Sequence, residues 1–475
     1  MRYSPLLTDL YELTMLAGYL EEGREEHTAV FDLFFRINPF QGGYAVFAGL
    51  EQALDYLEGL RFAPKELDYL AGLGLFRPRF IEYLKEFRFR GRVTAPPEGT
   101  VVFANEPLLT VEAALGEAQF VETALLNIIN FQTLVATKAA RICHAADGAE
   151  VFEFGLRRAQ GPDGGLSAAR AACLGGCSGT SNVLAGMLYG MPVRGTHAHS
   201  WVQAFPDELS AFRAYASAFP DGSTLLVDTY DTLNSGIPNA ITVARELRER
   251  GHELRGIRID SGDLAYLSRL SRQMLDKAGF DGVGIVASNE LDEHVIESVR
   301  SEGGRVDIYG VGTKLASCGG TGGGALGGVY KLVEVDGKST LKVTSDITKA
   351  TLPGKKRVLR ILNHGGAFIE DVICLADDEP RVRDRVYDPA NPLLHTNLPH
   401  GVLLEDLRQV VMEEGRRLDA GETLEAMAAR CKSELQRLPA GCLRFINPHR
   451  YKVSISDGLN RLRNALIEEL RNNVE

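Results

Sequence analysis

The sequence predicts an α/β protein: an irregular βα barrel-like domain joined to an α+β domain formed from the N- and C-terminal segments. Three observations carry this. From about residue 150, short apolar runs recur at 151, 192, 224, 256, 283 and 306, each followed by a polar or glycine-containing turn and then a helical stretch. That rhythm belongs to βα units with parallel strands, and its uneven spacing favours an imperfect barrel over an ideal one. Residues 88–115 instead alternate short β-rich runs with Pro and Gly, the pattern of a small, mostly antiparallel sheet. Finally, 475 residues at 45% hydrophobic and 24% charged composition give enough apolar mass for two or three domains and exclude wholesale disorder.

In order, residues 1–20 repeat Leu6, Leu7, Leu10, Leu13, Met15 and Leu16 at helical spacing. VFDLFFRINPF reads as a strand ended by Asn38-Pro39, and a helix is expected near Phe47–Leu57. After the β-rich 88–115 stretch, a long helix runs over about 118–146. The strands of the barrel-like part are VFEF, PVRG, TLLV, GIRI, VGIV and VDIYGV. Past 340 the chain becomes basic and loop-rich, then helical at 403–435 and 457–472. The expected organisation is 1–145 as an N-terminal α+β domain, 146–340 as the barrel-like domain, and 341–475 packing on the N-terminal domain.

A net charge of −11 argues against an indiscriminate nucleic-acid binder, so anionic ligands would need a local cluster of Arg, Lys and backbone N–H groups. No run of 18 apolar residues and no signal-peptide layout occur, and seven sparse cysteines match neither a disulfide scaffold nor a C-x-x-C site. A reduced, soluble, cytoplasmic protein with no membrane partner is expected.

In parallel α/β folds, ligands sit at the carboxyl ends of the strands. Here those ends read Glu153 to Arg157, Gly195 to His199, Asp228 to Asp231, Arg258 to Asp263, Ser288 to Glu290 and Gly310 to Lys314. Nearly all are polar, which points to one functional rim; the competing reading is ordinary turns whose Asp, Ser and Thr cap the next helix. His197 and His199 could be a reactive histidine beside a structural one, a metal pair, or a bland stretch of rim. Arg258 and Asp260 offer a cation and an anion to one ligand, or form a surface ion pair. Gly312 and Thr313, with Ser288 and Asn289 nearby, resemble a phosphate nest without the P-loop spelling. Gly319–Gly328, with its many glycines, reads as a mobile loop rather than a phosphate cradle.

TDLYELTM, EFGLRRAQGPDG, GTHAHSWVQAF, LLVDTYDTLNSG, RIDSGDL, SNELDE and YGVGTKL, in this order, resemble the nicotinate phosphoribosyltransferase family, and the likeness extends to NPHRYKVS at 447–454. The resemblance implies transfer of phosphoribosyl from phosphoribosyl pyrophosphate (PRPP) to nicotinate in NAD salvage, coupled to ATP hydrolysis, with Mg²⁺. It implies His199 as a phosphohistidine, with His197 at a variable position, and Asp260 as the catalytic carboxylate holding the ribose hydroxyls. Tyr11, Phe154, Thr196 and Arg258 would contact nicotinate, with Tyr11 reaching in from the partner of a homodimer. Arg157, Ser288, Asn289, Gly312 and Thr313 would take the phosphates. No protein-only metal site is implied. Gly179-Thr180-Ser181 lacks the aspartate that the amide-specific relatives place there, which favours the acid. A quinolinate-using enzyme, a metabolite sensor and a metal hydrolase with His197 and His199 as ligands are the alternatives.

Overall fold

The computed structural model describes residues 3–342, 351–391 and 393–472. Part of the basic stretch expected after 340 therefore lies outside the described residues. The chain forms two compact units, residues 135–324 and residues 1–134 with 325–475.

The 135–324 unit is built on a six-stranded parallel sheet. Its spatial order is Gly179–Thr180, Glu150–Glu153, Ile308–Val311, Gly284–Asn289, Gly256–Ile259 and Thr224–Leu226. Ile257, Ile259, Ile285, Leu225 and Val311 are fully buried, as expected where helices cover a parallel sheet. Val286 pairs with Arg258 and with Ile308, while Ser288 pairs with Gly310. Side chains alternate along a strand, so Arg258, Ser288 and Gly310 share one face, with Asp260 continuing that face past the strand end.

The expected strand at 192–195 is not formed; only Val193 makes an isolated bridge to Thr180. Pro192 has no N–H to give a ladder. The sixth strand is instead Gly179–Thr180, too short and too small in side chain to register as an apolar run. Among the described residues no ladder joins the two edge strands. The 192–199 segment is nevertheless stitched to both: Arg194 N–H donates to Thr180 O at 3.0 Å, and Leu226 N–H donates to His197 Nε2 at 3.2 Å.

In the other unit, a seven-stranded antiparallel sheet has Thr28–Phe34 near its middle, flanked by Val329–Val335 and Leu109–Ala114, with Arg92–Ala95 and Gln409–Glu413 beyond. Phe31 stacks on Tyr330 across the ladder, with centroids 4.8 Å apart. A second sheet joins Lys356–Leu362, Phe368–Leu375, Val453–Ser456 and shorter strands. The helix expected over 403–435 is confined to Leu424–Arg437. Residues 403–417 form strands, because Leu403–Asp406 and Gln409–Glu413 find partners in Lys356–Leu362 and Arg92–Ala95. Glu414 and Gly415, both at positive φ, make the two-residue hairpin turn that returns Arg416 to Glu413.

Candidate active site

A cavity of about 440 Å³ opens at the carboxyl ends of the parallel strands. It is lined by Phe154, Arg157, Thr196, His199, Arg258, Asp260, Ser288, Asn289, Gly312 and Thr313, ten of the eleven residues nominated from sequence. Tyr11 is not among them; it lies on the Leu10–Glu22 helix of the other unit, 45% exposed. Gly319–Gly328 contributes nothing to the lining.

Arg258 organises one wall. Its Nη1 donates to Thr196 Oγ1 at 2.8 Å, its Nε to Ser288 Oγ at 2.8 Å, and its Nη2 to Asp260 Oδ1 at 3.1 Å. Ser288 Oγ in turn donates to Asp260 Oδ1. A guanidinium carries five N–H groups in a rigid fork, so this network fixes its plane while leaving N–H directions toward the cavity. Phe154 lines the same cavity, its ring against Gly310. A Cβ at Gly310 would lie 2.6 Å from the Phe154 ring, so glycine there makes room for the aromatic side chain. Arg157 and Arg158 follow on the short Leu156–Arg158 turn, both exposed. Asn289 is held at φ 121, a conformation that costs of order 1–3 kcal/mol for a side-chain-bearing residue and is tolerated where its surroundings fix it.

The two histidines differ in kind. His197 is buried, its Nε2 accepts from Leu226 N–H, and its Nδ1 lies 3.3 Å from Ala198 O. A ring nitrogen that accepts a backbone N–H is unprotonated and already occupied, and burial pushes the imidazole below its ordinary pKa. His199 is half-open to the cavity. Its Nδ1 pairs with Thr229 Oγ1 at 3.1 Å, and its Nε2 sits 3.9 Å from both Asp228 Oδ1 and Asp260 Oδ2. The metal-pair reading fails on this geometry, since His197 spends its Nε2 on the sheet. Among the described residues no group of three or more His, Cys, Asp or Glu side chains could hold a metal ion.

Asp228 was visible as a strand-end residue but was given no role. Its side chain is 2% exposed; Oδ2 accepts from Asp260 N–H at 2.9 Å and Ser261 Oγ at 2.6 Å, and Oδ1 is buried without a hydrogen-bond partner. Burial is what marks it, and burial is invisible in a turn sequence. Glu290, also on the lining, accepts from Thr313 Oγ1 at 3.1 Å, so an anion reaching Thr313 must displace that bond. The helix-capping alternative is right for part of the rim: Asp231, Asp263 and Asp292 each accept backbone N–H groups of the following helix.

A parallel α/β sheet whose strand ends converge on a polar cavity with three arginines, a half-open histidine and the Asp260 carboxylate defines an enzyme-type site for a small anionic ligand. Family models cover nearly the whole chain: the nicotinate phosphoribosyltransferase N-terminal domain over 6–130, the nicotinate phosphoribosyltransferase family over 149–365, and the C-terminal domain over 355–463. The chain is 44% identical to nicotinate phosphoribosyltransferase of Bacillus subtilis, covering 99% of this chain and 96% of that one. It is 36% identical to that of Homo sapiens, over 97% and 96%. The crystal structure of human nicotinic acid phosphoribosyltransferase superposes with a TM-score of 0.86 at 34% identity, over 97% of this chain and 99% of that one. Nicotinate-nucleotide pyrophosphorylase from Pyrococcus furiosus shares the fold, with a TM-score of 0.71 at 24% identity over 91% and 95%. The chain belongs to the nicotinate phosphoribosyltransferase family of enzymes. No helix of the described residues is long and apolar enough to cross a membrane, and no disulfide joins the seven cysteines, all of which are described residues.

Proposed function

We propose that this enzyme transfers phosphoribosyl from PRPP to nicotinate, giving nicotinate mononucleotide and pyrophosphate in NAD salvage, with ATP hydrolysis coupled through a phosphohistidine at His199. The observation that carries the reading is the Arg258–Thr196–Ser288–Asp260 network set beside His199 in a single cavity. Arg258, held by three side chains, pairs with the nicotinate carboxylate, and Thr196 contacts the same ligand. Phe154 covers one face of the pyridine ring. Arg157 meets the PRPP phosphates, Gly312 and Thr313 the 5′-phosphate, with Ser288 and Asn289 nearby.

The chemistry asks for positioning and charge. Breaking the C1–pyrophosphate bond leaves positive charge on the ribose, and Asp260 stabilises it while holding the ribose hydroxyls. The pyridine nitrogen carries no proton to remove, so no general base is needed. Asp228 Oδ1 and the Asp260 carboxylate are hard oxygen donors that would hold Mg²⁺. The chemistry the ion would supply there is neutralisation of charge on the leaving group.

The same reading makes the sheet barrel-like, closed through the 192–199 segment, and the enzyme a homodimer in which Tyr11 covers the other face of the pyridine. Exposed Leu10 and Tyr11, and Val183 and Met187 at 71% and 73% exposure beside the cavity residue Ser181, are surfaces such an assembly would cover.

Product analysis with nicotinate, PRPP and Mg²⁺, with and without ATP, tests the activity; quinolinate as the sole acceptor gives no product on this reading. γ-Labelled ATP should leave an acid-labile, base-stable protein phosphate that is lost in His199→Ala and kept in His197→Ala. Equal labelling of both variants would overturn the assignment. Mixed dimers of Tyr11→Ala and Asp260→Asn subunits should recover activity that neither homodimer has.

A further inference from the structure

One buried carboxylate beneath the cavity has no part in the chemistry above. Glu153 ends its strand 1% exposed, and no Lys or Arg pairs with it among the described residues. Its Oε1 accepts from Gly155 N–H, and its Oε2 accepts from Thr180 Oγ1 at 2.6 Å. The direction of the second bond follows from the carboxylate, which can only accept. Thr180 Oγ1 itself accepts from Asn182 N–H at 2.9 Å, which leaves its own proton for Glu153. Both carboxylate oxygens therefore face donors. The main chain of the same residue accepts from Ser181 N–H at 2.9 Å. Asn182 goes on to cap the Val183–Tyr189 helix through Ala185 N–H.

We propose that Glu153 is a positioning residue: as an acceptor-only carboxylate it ties the turn carrying Phe154 and Arg157 to the turn carrying Ser181, and so holds two walls of the cavity in register. The choice of glutamate over glutamine follows from the donors. An amide would aim an N–H₂ at either Gly155 N–H or the Thr180 hydroxyl, leaving a buried donor unpaired. An unpaired buried carboxylate beneath a site for anions is otherwise a cost, and burial raises its pKa above the ordinary carboxylate value.

The inference rests on the proposed function for its kinetics but not for its structural readout. Three variants separate it from a merely structural role. Thr180→Ser keeps the hydroxyl and should match the wild type. Thr180→Val and Glu153→Gln should each raise KM for nicotinate about 10-fold with a smaller change in kcat, because the walls shift while the Arg258–Asp260 network stays. The double variant should fall short of the product of the two single effects, because both lesions break the Thr180–Glu153 bond, although Thr180→Val also strips Asn182 N–H of its acceptor. Hydrogen exchange should quicken in Glu153→Gln at the Gly155 amide or across 179–182, whichever side the amide oxygen abandons, with peptides elsewhere unchanged. Thr180→Val behaving like Thr180→Ser, effects that multiply in the double variant, or exchange unchanged at both Gly155 and 179–182 would each overturn the proposal. If Glu153→Gln fails to fold, the Thr180 pair alone decides. If wild-type protein makes no nicotinate mononucleotide, the proposed function fails while the exchange experiment still judges Glu153.

Discussion

Arg360 and Arg258 are the same residue in two regions, each gripped by several acceptors, and they do opposite jobs. Arg360 is 1% exposed in its side chain and meets Asp371 in a two-pronged pair, Glu434 Oε2 at 2.6 Å and Val101 O at 2.7 Å. It also stacks 4.2 Å from the Phe368 ring, and Tyr451 donates to the same Asp371. The guanidinium itself is sealed from solvent. Arg258 is 14% exposed, its acceptors are two hydroxyls, one shared carboxylate and, at 3.5 Å, the His197 carbonyl, and the group they form borders the cavity. A charge that is buried and saturated is structural, whereas one that is fixed but unspent is available to a ligand.

The largest effect should come from breaking the saturated cluster. Arg360→Ala leaves Asp371 and Glu434 buried without their cation, a loss of about 3–5 kcal/mol. Urea unfolding should move accordingly, and Arg258→Ala should move it far less. Equal destabilisation by both would erase the distinction between the regions.

Next in size, Asp260→Asn should lower kcat at least ~10²-fold, about 3 kcal/mol at the transition state, with a smaller change in KM for nicotinate. Thermal unfolding should barely shift, because Asp260 is 28% exposed in its side chain. A change in KM alone would mean that Asp260 serves only ground-state binding.

The contrast also explains what the sequence revealed. The rim was legible because polar residues directly follow apolar strand cores, and position along a strand fixes which of them share a face. Saturation is not legible, because it depends on partners distant in the chain: Arg360 meets Glu434 across 74 residues. For the same reason Asp228 carried no mark that set it apart from the helix-capping Asp231, Asp263 and Asp292. The helix expected at 403–417 failed through non-local pairing. Leu403, Leu404, Leu407, Val410 and Val411 have helical spacing, yet two strands elsewhere in the chain claim the segment. Gly179–Thr180 was missed because two small residues carry no periodic signal.

Arg258→Lys sharpens the comparison within the cavity. The charge stays but the fork is lost, so at most part of the contact to Thr196, Ser288 and Asp260 survives. Affinity for nicotinate should fall about 10-fold, with PRPP binding less affected. If calorimetry showed only PRPP binding weakened, the carboxylate partner would lie elsewhere.

The smallest effect tests the same rule on carboxylates. Burial pushes Glu293 up, but Lys138 and Arg141 together outweigh it and hold the group below its ordinary range. Glu12, next to Tyr11 and fully buried, has no such cation among the described residues. Burial raises it to about 7, against weaker opposing hydrogen bonds such as that from Gln119 Nε2 at 2.9 Å. The native state thus holds a proton that the unfolded chain, near 4.5, releases earlier. The contribution to stability is full below pH 4.5, is lost as pH rises from there through 7, and is constant above. The shift sets an upper bound of about 3 kcal/mol, and relaxation around the ionised group brings the expected loss nearer 1 kcal/mol. Glu12→Gln stays neutral and keeps an acceptor for Gln119, so it escapes this loss. Its stability relative to wild type should therefore rise between pH 5 and pH 8 and level off beyond. A difference that is the same at both pH values would show that Glu12 has found a compensating partner and that burial alone does not govern it.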